Sequence, residues 1–321
     1  MKFINYCLYT ILTITLFSTS LFAQQIEPIP YGDMSRWQTR NVKESVIIGG
    51  ALKTIYEITD TKVTEENVPF INTTSNWATS SAYAKVSGIS KGSVTVFPED
   101  RGNGDKAVRL ETKLEEVKVF GIINISALAT GSIFLGELVE PIKDTKNPLA
   151  KLMQGIPFTE KPSFLQFDYK FKNENGGKRI MDSGFSSDKL PGVNAGEACL
   201  LLQRRWEDAN GNVYAERVGT AWRRYSKNQY TWINDERIEV LYGNITKNPN
   251  FESYMGLITE DPLYTKNSKG QAVPIQEVGW AKEGTTPTHI IMRISSGYGG
   301  AYVGSLGATM WVDNIALGYN D

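Results

Sequence analysis

Apolar and polar residues alternate in short runs along this chain, and the last pair of runs organises the rest. Thr288 to Ser295 sets Ile290, Met292 and Ile294 on one face and His289, Ile291 and Arg293 on the other, the two-residue period of a strand. A glycine-rich turn, Ser296-Gly297-Tyr298-Gly299-Gly300, leads to a second strand within Gly307 to Leu317. Alternation there places Trp311, Asp313, Ile315 and Leu317 on a single face. A carboxylate among three large apolar neighbours has to be paired, hydrogen-bonded or metal-bound, because an isolated buried charge costs too much. Asp313 is therefore the most informative residue of the stretch.

The clearest alternating run is Ser163 to Lys172. Leu165, Phe167, Tyr169 and Phe171 point one way, and Phe164, Gln166, Asp168 and Lys170 point the other. One face belongs to a core, and the other is wet or lines a cleft. Glu197 to Glu207 and Val213 to Arg224 pair as a hairpin around Asn210-Gly211. Within it Leu200, Leu202, Arg204 and Trp206 share a face, as do Val218, Thr220, Trp222 and Arg224, which predicts that Trp206 and Trp222 lie near each other. Shorter runs at 45–52, 54–58, 84–86, 93–97, 107–112, 119–135, 238–242 and 275–280 read as further strands. Glu137 to Met153 reads as a short helix or irregular loop, and Asn173 to Asn194 as a long polar connection. No helical period is sustained and no repeat is visible. The pattern predicts an all-β sandwich or barrel forming one domain over 24–321, with 24–75 contributing its first strands.

Composition narrows the function classes. Lys+Arg of 34 against Asp+Glu of 35 leaves a net charge of -1, without the basic excess that nucleic acid or an anionic membrane surface attracts. Lys2 and the apolar run Ile4 to Phe22, ending at Ala23, have the form of a secretory signal peptide over 1–23. The expected product is exported, periplasmic or extracellular, with no membrane span once the signal is cleaved. Cleavage leaves Cys199 as the single cysteine, so an intramolecular disulfide is ruled out and the thiol reads as buried and inert. One His and one Cys leave little room for a zinc site or a Cys-His nucleophile, and His289 reads as a packed imidazole.

Several short motifs then fall in a characteristic order: Gly32-Asp33-Met34 with Trp37, Asn76-Trp77-Ala78-Thr79-Ser80, Ala107 to Thr112, Gly131-Ser132-Ile133-Phe134-Leu135-Gly136, Gly155-Ile156-Pro157-Phe158, Phe167-Asp168-Tyr169-Lys170 and Trp311-Val312-Asp313-Asn314-Ile315. In this order they resemble the putative carbohydrate metabolism domain family (PCMD), exported proteins of Bacteroidetes-type bacteria. The resemblance implies a jelly-roll β-sandwich similar to carbohydrate-binding modules and a role in handling polysaccharides. Many members are lipid-anchored, whereas Cys7 here lacks the small residues that lead into a lipidation site. The resemblance carries no catalytic motif, and fold analogy alone does not settle function.

Candidate sites follow. In jelly-roll carbohydrate modules an Asp of the closing strand often holds a structural calcium with an acid near the first strand. Asp313 resembles that position and Asp33 is its candidate partner; the alternative is that Asp313 pairs with an Arg or a backbone N–H. Trp206, Trp222, Tyr225, Tyr230 and Trp232 form the candidate glycan platform, with Gln166 and Asp168 as hydrogen-bonding groups, since flat rings stack on the C–H faces of sugars. The leading expectation is an exported protein that binds a polysaccharide or oligosaccharide. The alternative, a glycoside hydrolase or lyase on the same fold, needs two carboxylates facing one cleft, and nothing singles out a pair among Asp168, Glu197, Glu207, Glu216 and Asp235. A structural or envelope adhesion protein is the third class, expected if the aromatic faces are buried.

Overall fold

In the computed structural model the described residues are 24–119, 123–144, 147–184 and 186–320; the segment 1–23, read as a signal peptide, lies outside them. Alternating short runs favour strands, and strands dominate. The helical pieces among the described residues are four short 3-10 turns, at Val46–Ile48, Pro148–Lys151, Asn175–Gly177 and Ser253–Met255. The protein is all-β.

Two sheets face each other. The six-stranded sheet runs in the order Gln229–Glu239, Phe164–Lys172, Thr309–Tyr319, Asp105–Glu111, Val96–Gly102, and Gln25–Pro28 pairs with the second half of Thr309–Tyr319. The larger sheet closes on itself. Ser132–Leu138 pairs with His289–Ser295, which pairs with Gly196–Glu207, then Val213–Tyr225, Ala272–Trp280, Tyr264–Lys266 and Leu152–Gln154, which returns to Ser132–Leu138. Trp77–Thr79 is attached to the same Ser132–Leu138 strand.

Strands of the closed sheet that lie between two cores are apolar on both faces, as buried strands must be. Ala198, Leu200 and Leu202, with Ile290, Met292 and Ile294, meet Leu165, Phe167, Phe171, Met310 and Val312 of the six-stranded sheet in the main core. Cys199, Leu201, Trp222, Ile275 and Ile291 turn the other way into a second cluster, covered by Tyr254, Met255, Ile258 and Leu263. Glu277 ties that cover down: it accepts from Arg217 Nε at 2.6 Å, Gln203 Nε2 at 2.6 Å and the Ile258 N–H at 2.8 Å. A third, small cluster of Val42, Ile55 and Tyr83 sits between the hairpin Trp37–Lys43/Leu52–Ile58 and the hairpin Ala82–Val86/Ile89–Ser93.

Two expectations need correction. Asn173 to Asn194 is not a plain connection: Lys178–Asp182 and Ser187–Val193 pair with each other, and Val303–Gly304 completes a small sheet. Trp311 and Asp313 do not share a face with Ile315 and Leu317. Asn314 adopts φ 50° and the ladder to Phe164–Lys172 shifts register there. One extra residue in a strand sends everything beyond it to the opposite face. Ile315 and Leu317 therefore enter the core, while Trp311 and Asp313 belong to the outer face of the six-stranded sheet.

Candidate functional site

Asp168 anchors that outer face. Its Oδ1 accepts from the backbone N–H of Asp235 at 2.8 Å, and its Oδ2 accepts from Asn314 Nδ2 at 2.9 Å and pairs with Arg101 Nη1 at 2.8 Å. Asp235 and Asn314 are both left-handed, φ 55° and 50°, and the ladders on either side of Phe164–Lys172 shift near Asp168. One carboxylate thus steadies two bulges. Asp313 is 0% exposed; its Oδ2 meets the same Arg101 nitrogen at 2.5 Å and its Oδ1 accepts the Asn314 N–H at 2.8 Å. Burial pushes the Asp313 carboxyl up to about 6, against the opposing pull of Arg101 and the Asn314 N–H.

Beside this knot, registers that bring residues directly opposite one another build a row across the sheet. Lys170 stands opposite Trp311, Trp311 opposite Arg109, and Arg109 opposite Phe97. Trp232, from the edge strand, completes it. Lys170 Nζ lies 5.0 Å from the Trp232 ring centre and 4.7 Å from that of Trp311. Arg101 covers Trp232 at 4.3 Å, and Arg109 covers Phe97 at 4.3 Å. Arg109 is steadied by Glu99 at 3.1 Å and Glu111 at 2.7 Å. The result is ring, cation, ring, cation, ring, every member half-buried. Cation–π contacts of this kind are worth about 0.5–1 kcal/mol each at exposed sites, so the row holds its side chains in a preferred arrangement. The Trp311 indole N–H is buried with no hydrogen-bond partner among the described residues. Partly exposed ring faces interleaved with donors can stack on apolar ligand faces and hydrogen-bond polar edges together.

Of the residues singled out from sequence, Gln166, Asp168, Trp232 and Asp313 come together here. Gln166 donates to Asp235 Oδ1 and accepts from Arg237 Nε, both at 2.9 Å. Tyr230, 70% exposed, is on the same edge strand as Trp232, with its hydroxyl accepting from Asn228 Nδ2 at 2.8 Å. The remaining three aromatic residues are elsewhere. Tyr225 is in the main core, 4.4 Å from Tyr169 centre to centre. Trp222 is in the second cluster against Tyr254. Trp206 is 41% exposed and stacked on Tyr214 at 5.9 Å. The expected closeness of Trp206 and Trp222 does not occur. Trp222 pairs with Cys199 and Trp206 with Tyr214, seven positions further along the strand or about 23 Å. A bulge between Leu202 and Gln203 also breaks the alternation on which the expectation rested.

Asp33 and Asp313 meet different side-chain partners. Asp33 is exposed and accepts from Ser35 Oγ at 2.8 Å, and the Arg101 guanidinium occupies the place beside Asp313 that a cation would need. Calcium does not fit these side chains as they stand, and no group of three or more His, Cys, Asp or Glu suited to a metal occurs among the described residues. Sequence reasoning missed Arg101, Arg109 and Phe97. Arg101 stands in the polar, glycine-punctuated stretch Glu99 to Asp105, which shows no apolar alternation, and the partners of Arg109 are set by long-range register. Burial pushes the Cys199 thiol up to about 12, consistent with an inert group. His289 is held down at about 4 by burial and by nearby Arg205.

Among the described residues no helix is long and apolar enough to cross a membrane. No curated protein matches the sequence. Solved structures that are similar in part include two from Bacteroides species. A putative glycoside hydrolase from Bacteroides thetaiotaomicron is 16% identical with a TM-score of 0.43, over 71% of this chain and 57% of that one. Another from Bacteroides vulgatus is 13% identical with a TM-score of 0.42, over 71% and 78%. At these values neither carries an argument about activity. The sequence profile of the putative carbohydrate metabolism domain matches residues 53–189, a stretch that includes the motifs at 76–80, 107–112, 131–136, 155–158 and 167–170 and excludes those at 32–37 and 311–315. Over residues 53–189 the chain is therefore similar to the putative carbohydrate metabolism domain.

Proposed function

We propose that this protein, exported by way of the segment 1–23, binds a polysaccharide or oligosaccharide non-catalytically along the outer face of its six-stranded sheet, and that its two facing sheets are a jelly-roll variant of the carbohydrate-binding type. The observation that carries the reading is the row Trp232–Lys170–Trp311–Arg109–Phe97, in which rings two strands apart are separated by about 10 Å with a cation between each pair. A glycan laid across the strands would meet apolar faces and donors in alternation, and the matched carbohydrate metabolism domain supplies the ligand class. The test is affinity electrophoresis in gels containing a panel of polysaccharides. At least one should retard the wild type, and Trp232→Ala or Trp311→Ala should weaken that binding tenfold or more, while Trp206→Ala leaves it unchanged. Equal mobility in every gel would end this reading.

One observation favours a second reading. Asp168 and Asp313 approach the same Arg101 nitrogen, at 2.8 and 2.5 Å, so two carboxylates lie within the few ångströms that retaining glycosidases use, and one of them is held near 6. Release of reducing ends from a polysaccharide panel, abolished in both Asp168→Asn and Asp313→Asn, would promote the hydrolase reading over the binding one.

A further inference from the structure

A second polar constellation lies outside the sheet face. The hairpin Trp37–Lys43/Leu52–Ile58 presents Arg40 and Glu57 to a cleft of about 300 Å³ whose other walls include Phe70, Ile71, Trp77, Thr79 and Met153. It runs on into a hollow of about 210 Å³ that shares Asn72, Ser75, Asn76 and Ile156 with it. Arg40 is 3% exposed and placed from two sides. Its Nε donates to Glu57 Oε1 at 2.8 Å, and its Nη2 donates to Glu140 Oε1 at 2.7 Å. Glu140 is in turn fixed by the backbone N–H of Tyr83 at 2.6 Å and of Phe70 at 3.1 Å.

Two polar atoms of this cleft are left over. Arg40 Nη1 and Thr79 Oγ1 are buried with no hydrogen-bond partner among the described residues. Buried polar atoms are nearly always partnered, because leaving one unpaired costs about 1–3 kcal/mol. Two in one cleft, one of them on a guanidinium gripped by two acids, point to a ligand that supplies the missing bonds.

Charge and hydrogen-bond chemistry restrict that ligand. The positive charge of Arg40 is already met by Glu140 and Glu57, and Lys266 at the rim is met by Glu137 at 2.6 Å. No spare positive charge is left to hold an anion. Arg40 Nη1 can only donate, Thr79 Oγ1 can donate or accept, and Glu57, pushed up to about 7 by burial, can do either near neutral pH. A hydroxyl answers all three, because it accepts and donates at one atom. Phe70 and Ile71 supply the apolar side that a C–H face needs.

We propose that this cleft is a second binding site, taking one neutral hexose unit whose hydroxyls bond Arg40 Nη1 and Thr79 Oγ1. The choice of a saccharide rests on the carbohydrate reading above; the existence of the site rests on the two unpartnered atoms. It is separate from the sheet face, so the two can fail independently.

Truncating Arg40 would strand Glu57 and Glu140, so the decisive variant is Thr79→Val, which removes an unbonded hydroxyl at nearly constant volume. Saturation-transfer NMR on the full protein with D-glucose, D-galactose and D-mannose, and with D-glucuronate as the charged control, reads the outcome. At least one neutral hexose should receive saturation. Thr79→Val should weaken it fivefold or more at unchanged melting temperature, Thr79→Ser should retain it, and Trp232→Ala and Trp311→Ala should leave it intact. No transfer to any of the three sugars, binding indifferent to Thr79→Val, or stronger binding of glucuronate would each overturn the proposal. Hexose binding that survives while no polysaccharide is retarded would sink the sheet-face reading and spare the cleft.

Discussion

Among the described residues Asp313 and Glu57 are the two carboxyls whose proton affinity the fold clearly raises, and each is opposed by a single guanidinium. An unfolded chain releases the Asp proton near 3.8 and the Glu proton near 4.5; the folded chain holds them to about 6 and about 7. Between those values the folded state binds protons that the unfolded state has lost, so stability falls as pH rises from about 4 to about 7. Asp313 faces Arg101, Asp168 and, at longer range, Asp105; Glu57 faces Arg40 and Glu140. Asp313→Asn should therefore flatten the lower part of the melting-temperature profile, between pH 4 and 6, and Glu57→Gln the upper part, between pH 5 and 7. A profile unchanged by both substitutions would mean that Arg101 and Arg40 keep both carboxylates ionised throughout.

At the level of the strand, the bulge at Asn314 decides what the outer face contains. Asn314→Val should cost about 2–3 kcal/mol in urea unfolding, because a β-branched residue is strained at φ 50° and the bond from Asn314 Nδ2 to Asp168 is lost. Asn314→Gly should cost only about 1 kcal/mol, since glycine keeps the conformation and loses just the bond. The same bulge shows where sequence reading reaches its limit. The period-two run at 163–172 correctly separated Phe167 and Phe171 from Gln166, Asp168 and Lys170, because a strand without a local break transmits its pattern directly. The run at 311–317 looked equally regular, yet one left-handed residue reversed its second half. An Asn at that position is a hint, since Asn tolerates this conformation better than most residues, but only pairing with Phe164–Lys172 reveals the shift. Ser187–Val193 went unseen because it is largely exposed and has no apolar period. The aromatic cluster at 222–232 was legible as composition and illegible as geometry: Trp222, Tyr225 and Trp232 take three different environments through bulges and partners far away in sequence.

For the molecule as a whole, the closed sheet joins the two larger cores. Leu200 and Leu201 are neighbours on one strand, yet Leu200 fills the main core and Leu201 the second cluster. The backbone ladder of Gly196–Glu207 is common to both, bonded to Val213–Tyr225 on one side and His289–Ser295 on the other. Melting either core therefore removes a wall of the other, and residues 24–320 should unfold as one cooperative unit. Leu200→Ala and Leu201→Ala, each leaving a buried void, should each cost about 2–5 kcal/mol and move the same calorimetric transition to lower temperature. The third cluster, around Val42, Ile55 and Tyr83, has a weaker claim on that cooperativity, because its two hairpins carry only a small core of their own. Ile55→Ala is therefore the sharper arm of the experiment. If Arg40, bridging Glu57 of the hairpin and Glu140 beyond it, locks that layer to the closed sheet, Ile55→Ala shifts the single transition as the two leucine variants do. A separate early transition would show instead that the wall of the cleft carrying Arg40 and Glu57 opens independently of the sandwich.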